Sequence, residues 1–245
     1  MIKIVLLRHG QSAWNEKGLF TGWVDVDLTS LGEKEAKLAG QKLKKTAFKF
    51  DLVFQSFLKR SQKTTKIVLR ELGEKPKIEK DWRLNERHYG ALQGLDKKET
   101  VKKYGEDQVF IWRRSYDVRP PKIKIGAKYD QSKLVKYKNI TVPLTECLKD
   151  VEKRVTPFWK EKIIPALKKN KIILISASGN SLRALVKYLD KIVPDKIADF
   201  NIPTAIPLVY ELDNNFKPLR HYYLASAKEL AAAINKVKDQ IKVKK

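Results

Sequence analysis

An arginine, a histidine and a glycine follow one another directly after the first hydrophobic run of the chain, as Arg8, His9 and Gly10 in RHGQS. Ligands of open α/β sheets bind outside the carboxyl ends of the strands, where this segment would lie. An arginine buried at a strand end needs an anionic partner, and glycine lets backbone N–H groups approach an anion. These residue types favour an anion site with a nucleophilic histidine. The alternative for an isolated histidine is a structural role.

A second segment, SASGNSLR over residues 176–183, repeats this arrangement after another hydrophobic run. Its small residues would open a helix, and the N-terminus of a helix attracts anions. The alternative is an ordinary helix N-cap at Asn180 or Ser181 that binds no ligand.

Two more segments bring charged groups together. Arg113 and Arg114 are adjacent in the aromatic segment IWRRS. Such a pair either binds a phosphate or carboxylate through parallel hydrogen bonds or stays a solvated surface pair. The segment WRLNERHYG places Glu86 beside Arg87 and close to Tyr89. A carboxylate among arginines commonly forms a salt bridge, whereas a general acid needs a pKa that burial has raised.

Other kinds of chemistry have less support in this sequence. The P-loop, G-x-G-x-x-G, H-E-x-x-H and G-x-S-x-G patterns do not occur in it. The single cysteine, Cys147, excludes an intrachain disulfide and a metal site built from several cysteines. No run of about 18 apolar residues predicts a transmembrane helix, and residues 1–7 are typical of a strand rather than a signal peptide. We therefore expect a cytoplasmic protein with a metal-free anion site.

The net charge of the chain is +24, from 52 basic and 28 acidic residues. A clustered basic surface binds polyanions, whereas lysines scattered over helices form a solvated surface. The lysines occur all along these 245 residues without an interleaved aromatic stripe, which favours the solvated surface. We expect neither a membrane nor nucleic acid as a partner, and polyanion binding is kept as the alternative.

Hydrophobic runs predict strands over residues 3–7, 50–54, 171–175 and 207–212. Helices are predicted over residues 59–72 and 181–189, and after capping boxes that begin at Ser30 and Ser226. Strands that alternate with helices indicate an α/β fold, with a mainly parallel sheet covered by helices on both faces. Residues 1–245 are predicted to form one domain, in which a section of about 82–143 is inserted over the active-site end of the sheet.

Taken together, these segments resemble the cofactor-dependent phosphoglycerate mutases of the histidine phosphatase superfamily. The resemblance rests on LRHGQSAWN (7–15), FTGWVD (20–25), WRLNERHYGALQG (82–94), QVFIWRRS (108–115), GNSLRAL (179–185) and NIPTAIPLVYEL (201–212). It implies the fold of that family and the interconversion of 3-phosphoglycerate and 2-phosphoglycerate, primed by 2,3-bisphosphoglycerate and without a metal. It also implies a homodimer or a homotetramer.

The resemblance implies a role for individual residues as well. His9 would carry a phosphoryl group, and Glu86 would donate and accept the proton. Arg113 and Arg114 would bind the carboxylate or the second phosphate of the substrate. The residues that would hold the substrate or the phosphoryl group are Arg8, Ser12, Asn15, Thr21, Gly22, Arg60, Arg87, Tyr89, Lys97, Arg113, Arg114, Gly179 and Asn180.

The sequence departs from the family pattern at Ser178, which stands where the family has its second active-site histidine. The serine hydroxyl is shorter and uncharged, so we expect reduced mutase activity. Two alternatives follow: a slow phosphatase or bisphosphoglycerate-turnover variant, and a catalytically crippled basic protein that binds polyanions. Ala205 is a smaller departure, because this turn usually has glycine. Five tail lysines are predicted to help close the site, namely Lys236, Lys238, Lys242, Lys244 and Lys245.

Overall fold

A six-stranded sheet forms the centre of the computed structural model, which describes residues 2–169 and 172–238 except the side chains of Lys236 and Lys238. The strands are β1 (Ile2–Arg8), β2 (Leu52–Gln55), β3 (Lys77–Lys80), β4 (Ile172–Ala177), β5 (Leu208–Leu212) and β6 (Pro218–Tyr223). Their order across the sheet is β3-β2-β4-β1-β5-β6. The first four in this order are parallel, β5 is antiparallel to β1, and β6 is antiparallel to β5. The mainly parallel sheet is confirmed.

Helices cover both faces of this sheet. They are α1 (Ala13–Glu16), α2 (Ser30–Lys44), α3 (Lys59–Leu72), α4 (Lys97–Tyr104), α5 (Glu106–Arg114), α6 (Leu148–Phe158), α7 (Ile164–Lys169), α8 (Gly179–Leu189) and α9 (Ala227–Lys238), with a π-helical turn over Trp159–Ile163. Alternate residues of β1 point to opposite faces. Ile4 therefore packs in the core that holds α6 and α8, whereas Val5 packs in the core that holds α2 and α3.

Most predicted elements are present, with shifted ends. The helix over residues 59–72 is confirmed, and Gly73, at a φ of +72°, ends it. The cap predicted at Ser30 is wrong, because Thr29 is the N-cap and its Oγ1 accepts the Gly32 N–H at 3.0 Å. At the last helix, Ser226 Oγ accepts the Glu229 N–H at 3.2 Å, as predicted. The edge strand β3 was not predicted, since its charged side chains are mostly exposed.

The section over residues 82–143 contains two helices, α4 and α5, that the sequence analysis did not predict. Asp96 begins α4, because its Oδ1 accepts the N–H groups of Lys98 and Glu99 at 2.8 and 2.9 Å. Gly105, at a φ of +83°, separates the two helices.

None of the helices in the described residues is both long and apolar enough to cross a membrane. The predicted role of the tail lysines concerns residues at the chain end. Lys242, Lys244 and Lys245, and the side chains of Lys236 and Lys238, lie outside the described residues.

Candidate active site

The carboxyl ends of β1 and β4 lie side by side at the centre of the sheet. The two strands are parallel neighbours in a register that pairs Arg8 with Ala177. One hydrogen bond continues this pairing beyond the strands, from the His9 N–H to the Ala177 carbonyl at 3.1 Å. The segments RHG and SGN therefore leave the sheet next to each other, and a cavity opens between them and the section over residues 82–143.

The imidazole of His9 is buried and held on both ring nitrogens. Its Nδ1 lies 2.8 Å from the Gly10 carbonyl oxygen, and its Nε2 lies 3.1 Å from the Arg60 Nε. Burial, and then the positive charges of Arg60 and Arg8, hold the pKa of His9 well below its ordinary 6.5. Since a carbonyl only accepts and a guanidinium only donates, this network assigns the proton to Nδ1 and leaves the lone pair on Nε2. The ring is thus neutral at physiological pH, and its Nε2 lone pair, which accepts from Arg60, is the one that could attack an electrophile.

The turn after His9 requires a glycine. A Cβ on Gly10 would lie 2.2 Å from the Gly32 carbonyl oxygen at the start of α2. The Gly10 N–H donates to Thr64 Oγ1 of α3 at 3.1 Å. Two helices therefore fix the backbone that orients the imidazole.

Two arginines flank this histidine in different ways. Arg60 donates from its two terminal nitrogens to the carbonyls of Gly22 and Val24, at 2.8 and 3.0 Å, and from Nε to His9. Each of its three nitrogens therefore donates one hydrogen bond, and the two terminal nitrogens each keep a second N–H. Arg8 donates to the Ile202 carbonyl at 2.7 Å, while its buried Nε has no partner in the described part of the chain. Since the Arg8 side chain lines the cavity, its unpaired N–H favours an anionic ligand there.

The carboxylate of Glu86 lines the same cavity and is mostly buried. Its Oε1 accepts two backbone N–H groups, from Arg87 at 2.7 Å and from Asn180 at 3.2 Å. The first turn of α8 therefore contacts the segment that carries Glu86. The same helix provides the Asn180 side chain, whose Nδ2 donates to the Tyr89 hydroxyl at 3.3 Å.

Four basic side chains besides Arg8 and Arg60 line the cavity, and we call this group its outer end: Lys97, Arg113, Arg114 and Arg183. Burial, and then repulsion from Arg113 and other arginines, lower the pKa of Lys97 to about 7. Burial and neighbouring arginines also lower the pKa of Arg113 to about 10 and that of Arg183 to about 9. Arg114 lines the cavity beside them. Burying several cations together is unfavourable without an anion, so this end of the cavity favours an anionic ligand.

Most of the predicted site residues meet at this cavity. Those that line it are Arg8, His9, Asn15, Thr21, Arg60, Glu86, Tyr89, Lys97, Arg113, Arg114, Gly179 and Asn180. Ser12, Gly22, Arg87 and Ser178 do not line it. Ser12 is the N-cap of α1, and Gly22 provides a carbonyl to Arg60. Arg87 donates to the Arg113 carbonyl at 2.7 Å and lies 4.6 Å from the centre of the Tyr89 ring.

Ser178 directly follows β4 and does not line the cavity. It is fully buried and stands at the N-cap position of α8, so an N-cap at Asn180 or Ser181 is wrong. Its hydroxyl does not cap the helix and has no hydrogen-bond partner among the described residues.

The cavity also contains residues that the sequence analysis missed: Leu19, Arg183, Asn201, Ile202 and Val237. Arg183 is the most informative of them, since it donates to Asn180 Oδ1 at 2.8 Å. Its position, three residues after Asn180 on one helix, is the signal that could have found it. Near the cavity, Ala205 has a φ of +48° and donates its N–H to the Arg8 carbonyl at 2.9 Å. This is the conformation that glycine adopts without strain.

Comparisons with known proteins concern the family and the fold of the chain. Residues 4–223 match the family described as the histidine phosphatase superfamily (branch 1). The fold is similar to that of a putative α-ribazole-5′-P phosphatase from Escherichia coli K-12, at 19% identity and a TM-score of 0.69, over 91% of this chain and 97% of that one. It is also similar to a mycobacterial glucosyl-3-phosphoglycerate phosphatase solved with VO3, at 21% identity and a TM-score of 0.71, over 92% of this chain and 99% of that one.

Proposed function

The chain belongs to branch 1 of the histidine phosphatase superfamily, and on that premise we propose that it moves a phosphoryl group through His9. The His9 Nε2 lone pair attacks the phosphorus of a bound phosphate ester, and the bond from phosphorus to the ester oxygen breaks. The neutral state of the ring supports this step, because a protonated imidazole has no lone pair to donate at Nε2.

The remaining groups of the inner cavity support the same transfer. The guanidinium groups of Arg8 and Arg60 lie where they can stabilise negative charge on the phosphoryl oxygens. Glu86 gives its proton to the leaving oxygen and takes a proton back when an oxygen attacks the phosphohistidine. Cationic side chains supply the charge neutralisation that metal ions supply in other phosphoryl transferases, so no metal is needed for this proposal.

For the substrate we propose the phosphoglycerates, interconverted between the 3-phospho and 2-phospho forms. The observation that carries this choice is the charge of the cavity. Six basic side chains line it against one carboxylate, that of Glu86, among the described residues. A phosphoryl group at the inner end would leave Lys97, Arg113 and Arg114 to bind a second anionic group of the same molecule.

A primer is part of this mutase proposal. The imidazole must carry a phosphoryl group before it can give one to a monophosphate, and 2,3-bisphosphoglycerate would supply it. The bisphosphate formed in each cycle must stay bound while it reorients. Basic groups at both ends of the cavity favour its retention in either orientation.

A phosphatase is the second candidate, in which water removes the phosphoryl group from His9. The environment of Ser178 favours it, since this position provides no cation to the phosphoryl group and its hydroxyl lies outside the cavity. The two named structural neighbours are phosphatases. At about 20% identity these likenesses concern the fold.

The deciding experiment measures two products from 3-phosphoglycerate, with and without 2,3-bisphosphoglycerate. Formation of 2-phosphoglycerate that depends on the bisphosphate supports the mutase. Release of inorganic phosphate without 2-phosphoglycerate supports the phosphatase. Neither product, together with salt-dependent RNA binding that phosphoglycerate does not compete, would support the polyanion-binding alternative. His9→Ala is the inactive control.

A further inference from the structure

The backbone around Glu86 is held by two buried residues that do not line the cavity. Arg154 of α6 donates from one terminal nitrogen to the carbonyls of Asn85 and Glu86, both at 3.0 Å. Its other terminal nitrogen donates to the Arg83 carbonyl. One guanidinium therefore ties together three carbonyls of the segment that carries the cavity's carboxylate.

Glu146, just before α6, completes this arrangement. Its Oε1 accepts from Arg154 Nε at 2.7 Å, and its Oε2 accepts the His88 N–H at 2.8 Å. The Glu146 N–H donates in return to the His88 carbonyl at 2.8 Å. The ion pair thus holds the segment both before and after Glu86.

Stability alone is a weak explanation for this ion pair. A well-packed hydrophobic pair of similar volume commonly stabilises a core as much as a buried ion pair does. A hydrophobic pair could not bind three carbonyls and one N–H of a single segment. Among the described residues, Glu86 Oε1 accepts from two backbone N–H groups, that of Arg87 in this segment and that of Asn180 in α8, so the direction of its carboxylate depends on where this segment lies against α8.

We propose that Arg154, with Glu146 as its partner, is a positioning residue for proton transfer by Glu86. The inference rests on the proposed function, because it concerns the proton that Glu86 gives to the leaving oxygen. Arg154 does not line the cavity that would hold the substrate, so its loss affects chemistry more than anion binding. The effect is largest for a leaving group that needs a proton, such as the alkoxide of 3-phosphoglycerate, and small for p-nitrophenolate.

The test compares Arg154→Lys and Glu146→Gln, which keep approximate size but lose the forked geometry or the charge. Each variant is assayed with 3-phosphoglycerate and with p-nitrophenyl phosphate, and the Kd for sulfate and the melting temperature are measured. Glu86→Gln is the reference for loss of the proton donor. Leu43→Ala is the matched destabilised control, because Leu43 is buried at the end of α2 that is farthest from Gly10.

We expect Arg154→Lys to lower kcat for 3-phosphoglycerate by about 10- to 100-fold, as a small misplacement of a catalytic group does. The rate of the p-nitrophenolate burst, which reports phosphoryl transfer to His9 from a leaving group that needs no proton, and the Kd for sulfate should change by less than about threefold. Glu86→Gln should give the same pattern with a larger effect. Leu43→Ala should lower the melting temperature without changing the ratio of the two esters.

Parallel losses for both esters in Arg154→Lys and Glu146→Gln would overturn this inference, as would a matching loss of sulfate binding. If Arg154→Lys does not fold, the ratio of the activities toward 3-phosphoglycerate and p-nitrophenyl phosphate in Glu146→Gln tests the positioning role instead. An unmodified chain that turns over neither ester overturns the proposed function, and the positioning role with it. An unmodified chain that is active, with variants that lose both esters equally, overturns the positioning role alone.

Discussion

The two turns at the ends of β1 and β4 lie side by side but present different groups to the cavity. The turn after β1 presents a side chain, the His9 imidazole, whose two nitrogens are fixed by Gly10 and Arg60. The turn after β4 presents the start of α8, with the Asn180 N–H on Glu86. At the position equivalent to His9, Ser178 is buried and its hydroxyl has no partner among the described residues.

This difference shows that the position of a turn at the sheet edge does not by itself give its side chain a chemical role. Adjacent parallel strands guarantee that two turns meet at one edge of the sheet, yet only a side chain of sufficient length, held by its neighbours, becomes a reacting group. The chain therefore has one imidazole where its resemblance implies two. His9, Arg8 and Arg60 form the inner end of the cavity. The first turn of α8 instead binds the Glu86 carboxylate through the Asn180 N–H.

Removing the reacting group of the first turn should have the largest effect. We expect His9→Ala to abolish turnover, by at least about 10⁴-fold, as the loss of a nucleophile does. Incubation with 2,3-bisphosphoglycerate should place an acid-labile, base-stable label on the unmodified chain and none on the variant. Label on His88 or His221 would break the comparison, because the reacting histidine would then lie outside both turns.

The second test places a histidine at the turn after β4, as there is at the turn after β1. A donor aimed at the transferring group contributes on the order of 10²–10³ in rate, so Ser178→His should raise turnover by a factor in this range with a smaller change in ligand affinity. Ser178→Ala is the matched control and should change turnover by less than about threefold, since the hydroxyl has no hydrogen-bond partner in the part of the chain that the structure describes. A folded Ser178→His variant without any gain would contradict the view that this turn limits catalysis.

A third test removes one cation from the outer end of the cavity and leaves both turns unchanged. Arg113→Ala should weaken phosphoglycerate binding by about 1.5–3 kcal/mol, the value of a lost charge-assisted hydrogen bond, measured by titration calorimetry. Labelling of His9 by a small phosphoryl donor without a second anionic group should change much less. Equal losses in both measurements would place Arg113 in the fold or at the phosphoryl end.

The smallest expected effect is a pH dependence from Lys97. With a pKa of about 7, its ammonium is charged below pH 7 and becomes neutral above it. Sulfate keeps its charge over this range, so its affinity should fall by about three- to tenfold between pH 6.5 and 8. Arg183 and Arg113, with pKa values of about 9 and 10, stay charged there, and His9 and His88 stay neutral.

Lys97→Arg supplies the control for this prediction, because a guanidinium keeps its charge throughout. Its sulfate affinity should be flat between pH 6.5 and 8. The same pH dependence in native protein and Lys97→Arg would assign the titration to another group.

Much of the sheet could be predicted because its strands are continuous hydrophobic runs bounded by polar turns. The helices α4 and α5 could not, since much of α4 is charged and little of either helix is buried. Arg183 was missed for a related reason. Its spacing of three residues from Asn180 places the two side chains on one helix face, but only the folded chain shows that this face lines the cavity. The contacts of Arg154 with residues 83–86 join positions that are about 70 apart in sequence.

The sequence by itself predicted the four central strands of the sheet and their mainly parallel arrangement, and it showed a candidate reacting histidine at the first turn and a serine at the second. Periodicity and motif spacing are local properties of the sequence, so they can be recognised without knowledge of the fold. Only the tertiary structure decided that the Ser178 hydroxyl lies away from the cavity and that Arg60 holds the ring nitrogen of His9. It alone placed Lys97 among arginines, which lowers its pKa. Burial, hydrogen-bond direction and charge repulsion depend on neighbours that are distant along the chain, so no local pattern encodes them.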